Sequence, residues 1–301
     1  MANKTSAPPP PAKMPPAKAK KPPLPVPPKV AAPPPAAKRV AKTFTVQDWD
    51  GDIEGHKIIL HGKYGMGKTN LAALAPTPVF IGGLDAGGSK IKHPVTGENL
   101  KVIPGVESFQ DVRDVLHQVE IFDPYETVVI DTGTQLQHLG LLYTFATVRG
   151  PKECPKCTNI EQYGWHKGYR HLYDSMHHIL GDLDPLVKRG KNVIIVCQSI
   201  QTKVSNPGGE DFLRDTPDLQ TDPKANVAAD YMSWADHIFM IDHHNVSATE
   251  GKAVASGGRV IRVHPEIHFE AKSRTIDPEY ATVAFEHKAD DNIWQILFGG
   301  E

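Results

Sequence analysis

His61-Gly62-Lys63-Tyr64-Gly65-Met66-Gly67-Lys68-Thr69 is the stretch that decides how the rest of the chain is read. From Gly62 to Thr69 it fits G-x-x-x-x-G-K-[ST], the phosphate-binding loop of proteins that handle nucleoside triphosphates. The spacing has a mechanical basis. Glycines at 62, 65 and 67 let the backbone curl so that successive N–H groups aim inward at phosphate oxygens. Lys68 brings a positive charge over the β- and γ-phosphates, and the Thr69 hydroxyl is placed to hold Mg2+. Lys63, Tyr64, Met66 and Asn70 supply the intervening and following backbone of the predicted ATP site. The flanks agree with the motif. Lys57-Ile58-Ile59-Leu60 has the composition of a buried strand, and Lys68 to Ala75 reads as a helix whose N-terminus faces the phosphates.

Outward from the loop, Thr127-Val128-Val129-Ile130-Asp131 is a second apolar strand, and its terminal Asp131 is the expected carboxylate of the Mg2+ sphere. Pro78 to Gly83 and Val193 to Cys197 have the same buried character, the latter followed by Gln198-Ser199. Ser108 is placed to cap a helix running to about Glu120. Residues 134–148 and 161–180 read as helices, and the aromatic residues of the second, Trp165 among them, read as core. Residues 201–227 form a long polar stretch rich in Gly, Pro and Asp. Strands follow at 237–241, 260–263 and 267–272, with a hairpin turn at Gly257-Gly258. Alternating strands and helices first and hairpins last imply an α/β fold with a mainly parallel sheet extended by antiparallel strands.

Charge is unevenly placed. Residues 1–42 hold nine of the 33 Lys/Arg, no Asp or Glu, and about half of the 27 prolines, leaving 24 basic and 35 acidic residues for 43–301. A basic, proline-rich tail of this kind cannot bury apolar surface and is expected to be disordered, ahead of a globular domain spanning 43–301. Thr43 to Gly55 reads as an entry strand and turn. Neither a secretory leader nor a run of about 18 apolar residues is present, so no membrane span is expected. Three cysteines, Cys154, Cys157 and Cys197, fit a reducing cytoplasm. Cys154 and Cys157 are half of a Zn2+ site that only His166 or His171 could complete, against the plainer alternative of a surface loop.

With these elements in order, residues 55–298 resemble the RecA-like ATPase core. The likeness is greatest to the compact, phage-encoded AAA-type proteins that consist of that core alone and serve in single-strand annealing and recombination. The resemblance implies a DNA-stimulated ATPase that binds single-stranded DNA and assembles with copies of itself as a ring or filament. It would work in the host cytoplasm, and the basic tail is expected either to hold nucleic acid non-specifically or to dock on an acidic partner, such as a single-strand-binding protein. It implies that Gln198 senses the γ-phosphate, and that the loop after Ile200 and residues 149–164 are mobile DNA-binding loops. Lys152, Lys156, Lys203, Arg214 and Lys224 would supply backbone charge there. Lys272 and Arg274 match a K-x-[KR] pair that reaches the ATP of a neighbouring subunit. Relatives end the second strand in a glutamate that orients the attacking water; Asp85 is the nearest residue here. A helicase- or packaging-type motor, and a nucleotide-gated adaptor with little turnover, remain alternative uses of the same core.

Overall fold

The computed structural model describes residues 46, 54–82, 84, 90–244, 246–249, 252–255 and 258–299. The chain divides into two units, 1–48 and 49–301. The expected tail, most of the entry strand and Asp85 lie outside the described residues. β1 (Lys57–Gly62) leads through the phosphate loop into α1 (Lys68–Ala73). β2 (Pro78–Ile81), β3 (Lys101–Ile103), α2 (Phe109–Leu116) and β4 (Thr127–Asp131) follow. Ser108 caps α2 as expected, its hydroxyl accepting from Asp111 N while the Asp111 carboxylate returns to Ser108 N. Next come α3 (Gly133–Thr147), α4 (Lys167–Val187) and β5 (Asn192–Val204). The remainder is β6 (Phe212–Pro217), β7 (Thr221–Asp222), β8 (Ala225–Asn226), α5 (Val227–Trp234), β9 (His237–His243), β10 (Val246–Thr249), β11 (Lys252–Ala255), β12 (Arg259–Arg262), β13 (Thr282–Ala284) and α6 (Asn292–Phe298).

The main sheet runs β13-β12-β9-β1-β5-β4-β2-β3, with β6 paired to β5. From β9 to β3 every neighbour is parallel; β12 and β13 extend it antiparallel. β5 therefore lies between the strand that feeds the phosphate loop and the strand that carries Asp131. This is the mixed, mostly parallel sheet of a RecA-like core. Alternation along each strand splits the apolar side chains between two layers. Ile59, Val128, Ile130 and Ile195 meet Phe109, Leu136, Met176 and Leu183 on one face. Ile58, Leu60, Val129 and Val196 meet Leu71, Phe239 and Trp294 on the other. The Trp294 indole N–H donates to Leu71 O at 2.8 Å and so ties α6 to α1. No helix among the described residues is long and apolar enough to cross a membrane.

Three sequence expectations are corrected. The polar stretch 201–227 is not one loop: β5 continues to Val204 and pairs with β6 from Ser199↔Pro217 to Val204↔Phe212. Its polarity misleads because this hairpin stands beyond the layered core, with Ile200 and Leu213 exposed. Residues 267–272 form no strand, only isolated bridges at Asp215↔Phe269, Glu266↔Phe269 and Ile238↔Lys272. Trp165 is not core. α4 starts at Lys167 rather than 161, because Gly164, Trp165 and His166 all have positive φ (67°, 50° and 59°), and the indole is 94% exposed.

Candidate active site

The carboxyl ends of β1, β5 and β4 meet at the phosphate loop. Gly67 caps α1 at φ 94°, where a side chain would be strained, and a Cβ at Gly62 would stand 2.8 Å from Ile241 O on β9. Gly67 offers no capping side chain, so the first N–H groups of α1 have no acceptor in the helix. These free donors fit an anionic phosphate group.

Lys68 is buried, and its ammonium spends its three protons on Gly62 O (2.8 Å), Lys63 O (2.9 Å) and Gln198 Oε1 (2.9 Å). Burial pushes its pKa down, while Asp131 and Cys197 push it back up. The Thr69 hydroxyl donates to Asp131 Oδ2 at 2.5 Å. A hydroxyl and a carboxylate side by side are hard oxygen ligands suited to Mg2+, so Thr69 and Asp131 would hold the ion that accompanies a bound triphosphate. Asn70 lies in the same first turn of α1, and Tyr64 projects from the loop tip, 90% exposed.

Gln198 is held by its backbone. Its N–H donates to Thr134 Oγ1 at 3.2 Å and its carbonyl accepts from Asp218 N at 2.7 Å, which leaves the side chain to face Lys68. Burial raises the pKa of the Asp218 carboxyl. One residue on, Ser199 Oγ lies 2.8 Å from His61 Nδ1, and His61 Nε2 lies 2.8 Å from Glu270 O. A carbonyl only accepts, so Nε2 carries the proton and Nδ1 accepts from the serine hydroxyl. His61 is fully buried; that burial, against the Glu270 bond, holds its pKa at about 4 and keeps the ring neutral. Glu270 in turn takes Arg214 Nη1 of β6 at 2.8 Å. A continuous set of contacts thus joins the phosphate loop to the β5–β6 hairpin.

Arg259 is a site residue that the sequence does not reveal, since a single cation opening a strand carries no motif. From β12 its Nη1 donates to Met66 O at 2.8 Å while the guanidinium stacks over Phe285 at 4.6 Å. In the trans Met66–Gly67 peptide the N–H points opposite to the carbonyl. Holding Met66 O from outside therefore aims Gly67 N–H into the cradle and polarises it.

Other expected residues lie elsewhere. Lys272 and Arg274 sit by the start of β9, at the opposite sheet edge from the phosphate loop of their own chain. Lys272 Nζ is bound to Met232 O (3.1 Å) and Ala235 O (2.5 Å) at the end of α5, and Arg274 lies 3.4 Å from Asp236. Lys203 pairs with Asp211 and Arg214 with Glu270. The zinc half-site is not completed, since no group of three or more His, Cys, Asp or Glu suited to a metal occurs among the described residues. His166 turns to Asp222 and His171 packs against the Tyr163 ring. Cys157 is buried with its thiol toward Cys154 O.

Residues 54–275 match a protein family described as AAA domain. Among curated proteins none matches the chain. Many solved chains match, among them a KaiC-like protein, PH0186, from the archaeon Pyrococcus horikoshii OT3, at 12% identity and a TM-score of 0.36 over 77% of this chain and 90% of that one.

Two predictions arise from this geometry. Arg259→Ala should weaken ATP binding about tenfold, the worth of one charge-assisted hydrogen bond, as read by titration with a fluorescent ATP analogue. Arg259→Lys should recover more affinity than Arg259→Gln, because it keeps the charge; unchanged binding in the alanine variant would contradict the role. The second concerns acid. His61 titrates at about 4 in the fold, below its ordinary 6.5, so between those values the unfolded chain binds a proton that the fold excludes. Its contribution, about 3 kcal/mol at most, is complete above about pH 6.5 and is lost as pH falls toward 4. Urea titrations of His61→Gln should show a shallower decline over that window than the native chain.

Proposed function

The chain belongs to this AAA-domain family, and from that premise we propose that it is an ATP- and Mg2+-dependent ATPase that binds single-stranded DNA and acts in recombination, by annealing or strand exchange, as a ring or filament. Bound ATP would supply the phosphoryl group transferred to water. The observation that carries the proposal is the Lys68–Gln198 hydrogen bond. A triphosphate competes for all three Lys68 protons, so occupancy deprives Gln198 Oε1 of its donor. Gln198 is joined through Ser199 to the base of the β5–β6 hairpin, and His61 braces that junction. The hairpin offers Phe212 with the Arg214 guanidinium 5.4 Å from its ring, on the face that also carries exposed Ile200, a surface suited to stacked bases. Nucleotide state and strand contact are in this way two ends of one bonded path.

Phosphate release with and without oligo(dT) tests this. Lys68→Ala should lose productive ATP binding and turnover. Gln198→Ala should keep ATP affinity and basal turnover but lose the stimulation by DNA. Stimulation that survives in Gln198→Ala would remove the relay, and no turnover in the native chain would favour an adaptor.

For assembly, Arg274 is the freer member of its pair. Its side chain is 58% exposed, whereas Lys272 is committed to the end of α5. In this proposal Arg274 reaches the triphosphate of the neighbouring subunit, where a trans cation is worth about 10^3-fold or more in rate. Mixing Arg274→Ala with Lys68→Ala protein should then restore part of the activity, because some junctions pair an intact loop with an intact arginine. No recovery despite proven subunit exchange would place Arg274 outside the chemistry.

A further inference from the structure

The segment between α3 and α4 is held together by its own hydrogen bonds around two buried side chains, Cys157 and Tyr163. Tyr163 is buried, its hydroxyl 3.0 Å from Thr144 O and 2.9 Å from Val148 O. Gln162 Oε1 accepts from Thr158 N (2.8 Å) and Asn159 N (3.2 Å). Cys157 fills the interior, where a Cβ at Gly150 would come within 2.4 Å of its sulfur. Cys157 is thus a packing residue of this scaffold, with Cys154 partly exposed beside it. That scaffold ends in the left-handed run Gly164-Trp165-His166, pinned by His166 Nδ1 to Asp222 Oδ2 at 2.8 Å.

A tryptophan in left-handed backbone is strained, and one that is 94% exposed returns nothing to the fold. Its surroundings are cationic. Arg149, Lys152, Lys156 and Lys167 are exposed and take part in no ion pair among the described residues; Arg170 pairs with Asp174, and the acidic side chains of this loop are Glu153 and Glu161. Its place in the fold is also defined. α4 ends at the amino edge of the sheet, where Gly55 N donates to Val187 O. Its 21 residues span about 30 Å at 1.5 Å per residue, longer than β1, β4 and β9 with their 6, 5 and 7 residues, so its first turn lies toward the edge that holds the phosphate loop.

We propose that Trp165, with Lys152, Lys156 and Lys167, is a stacking site for an unpaired base of single-stranded DNA. The site is separate from the β5–β6 hairpin, and the inference rests on the DNA-binding reading above. Every base offers a π-face to an indole, and the strand's phosphates match free lysines; in duplex DNA those faces are already stacked. A second copy of the chain is the poorer fit, because a tryptophan at a protein contact sits among apolar neighbours and lysines are depleted there.

The test uses the full chain with Mg2+ and a non-hydrolysable ATP analogue, titrated with oligo(dT). Trp165→Ala should weaken binding about 5- to 100-fold, Trp165→Phe should restore most of it, and ATP affinity should be unchanged in both. Oligo(dT) should quench the native tryptophan emission far more than that of Trp165→Phe, and a duplex competitor should displace it poorly. Equal binding by native and Trp165→Ala protein would overturn the site and leave the DNA-binding reading standing. Absence of DNA binding in every form would overturn both. A loss of self-association in Trp165→Ala, with DNA binding intact, would assign the indole to a subunit contact instead.

Discussion

The ammonium of Lys68 is the constraint on which the rest of the molecule depends. A buried cation must find partners for each of its protons, and here they come from Gly62 O, Lys63 O and Gln198 Oε1. That requirement ties the curl of the phosphate loop to the paired ends of β1 and β5, where Gly62 and Gln198 stand opposite each other and supply two of the acceptors. It also explains why β5 must lie between β1 and β4. Only a strand adjacent to both can bring Gln198 to Lys68 while its neighbour brings Asp131 to Thr69. The nucleotide site is thus a consequence of strand order as much as of loop sequence.

What the sequence made legible follows from how local the signals are. The glycines, Lys68 and Thr69 act through contiguous backbone, so their spacing alone announces the loop. Apolar runs at 57–60, 127–131 and 193–197 mark parallel strands buried on both faces. The β5–β6 hairpin was hidden because both of its faces are partly wet, leaving no hydrophobic alternation to read. Arg259 was hidden for a different reason. It acts on Met66 from 193 residues away, through a single carbonyl. Trp165 reads as core because Tyr169 and Leu172 follow it at helical spacing, whereas three successive positive φ angles delay the helix and leave the indole exposed.

The two edges of the sheet divide the labour. At the amino edge, Lys57 N donates to Asp236, His56 Nδ1 lies 2.9 Å from His237 Nε2, and His237 Nδ1 lies 3.0 Å from Ser273 Oγ. Burial, then the neighbouring His56, depresses His237 to about 3, and burial lowers His56 as well, so the two imidazoles are neutral members of a hydrogen-bonded staple. Lys272 belongs to it. Its bonds to Met232 O and Ala235 O satisfy carbonyls that the end of α5 leaves without helical partners, which is a sufficient reason for a lysine there.

The staple and the active site are nonetheless mechanically joined, through a segment that carries almost no regular structure. Glu270 N donates to Asp215 O at 2.9 Å, and Glu270 O receives His61 Nε2 at 2.8 Å; two residues later, Lys272 exchanges both backbone bonds with Ile238. Residues 270–272 are therefore fastened to the hairpin, the phosphate-loop strand and β9 in succession. A regular strand would align all of those bonds with one neighbour. Isolated bridges to the hairpin and β9, with one side-chain hydrogen bond from His61, let a short span of chain hold the hairpin and the site strand together. For that reason a displacement of the hairpin cannot occur without bearing on His61, and through Ser199 on the residue that touches Lys68.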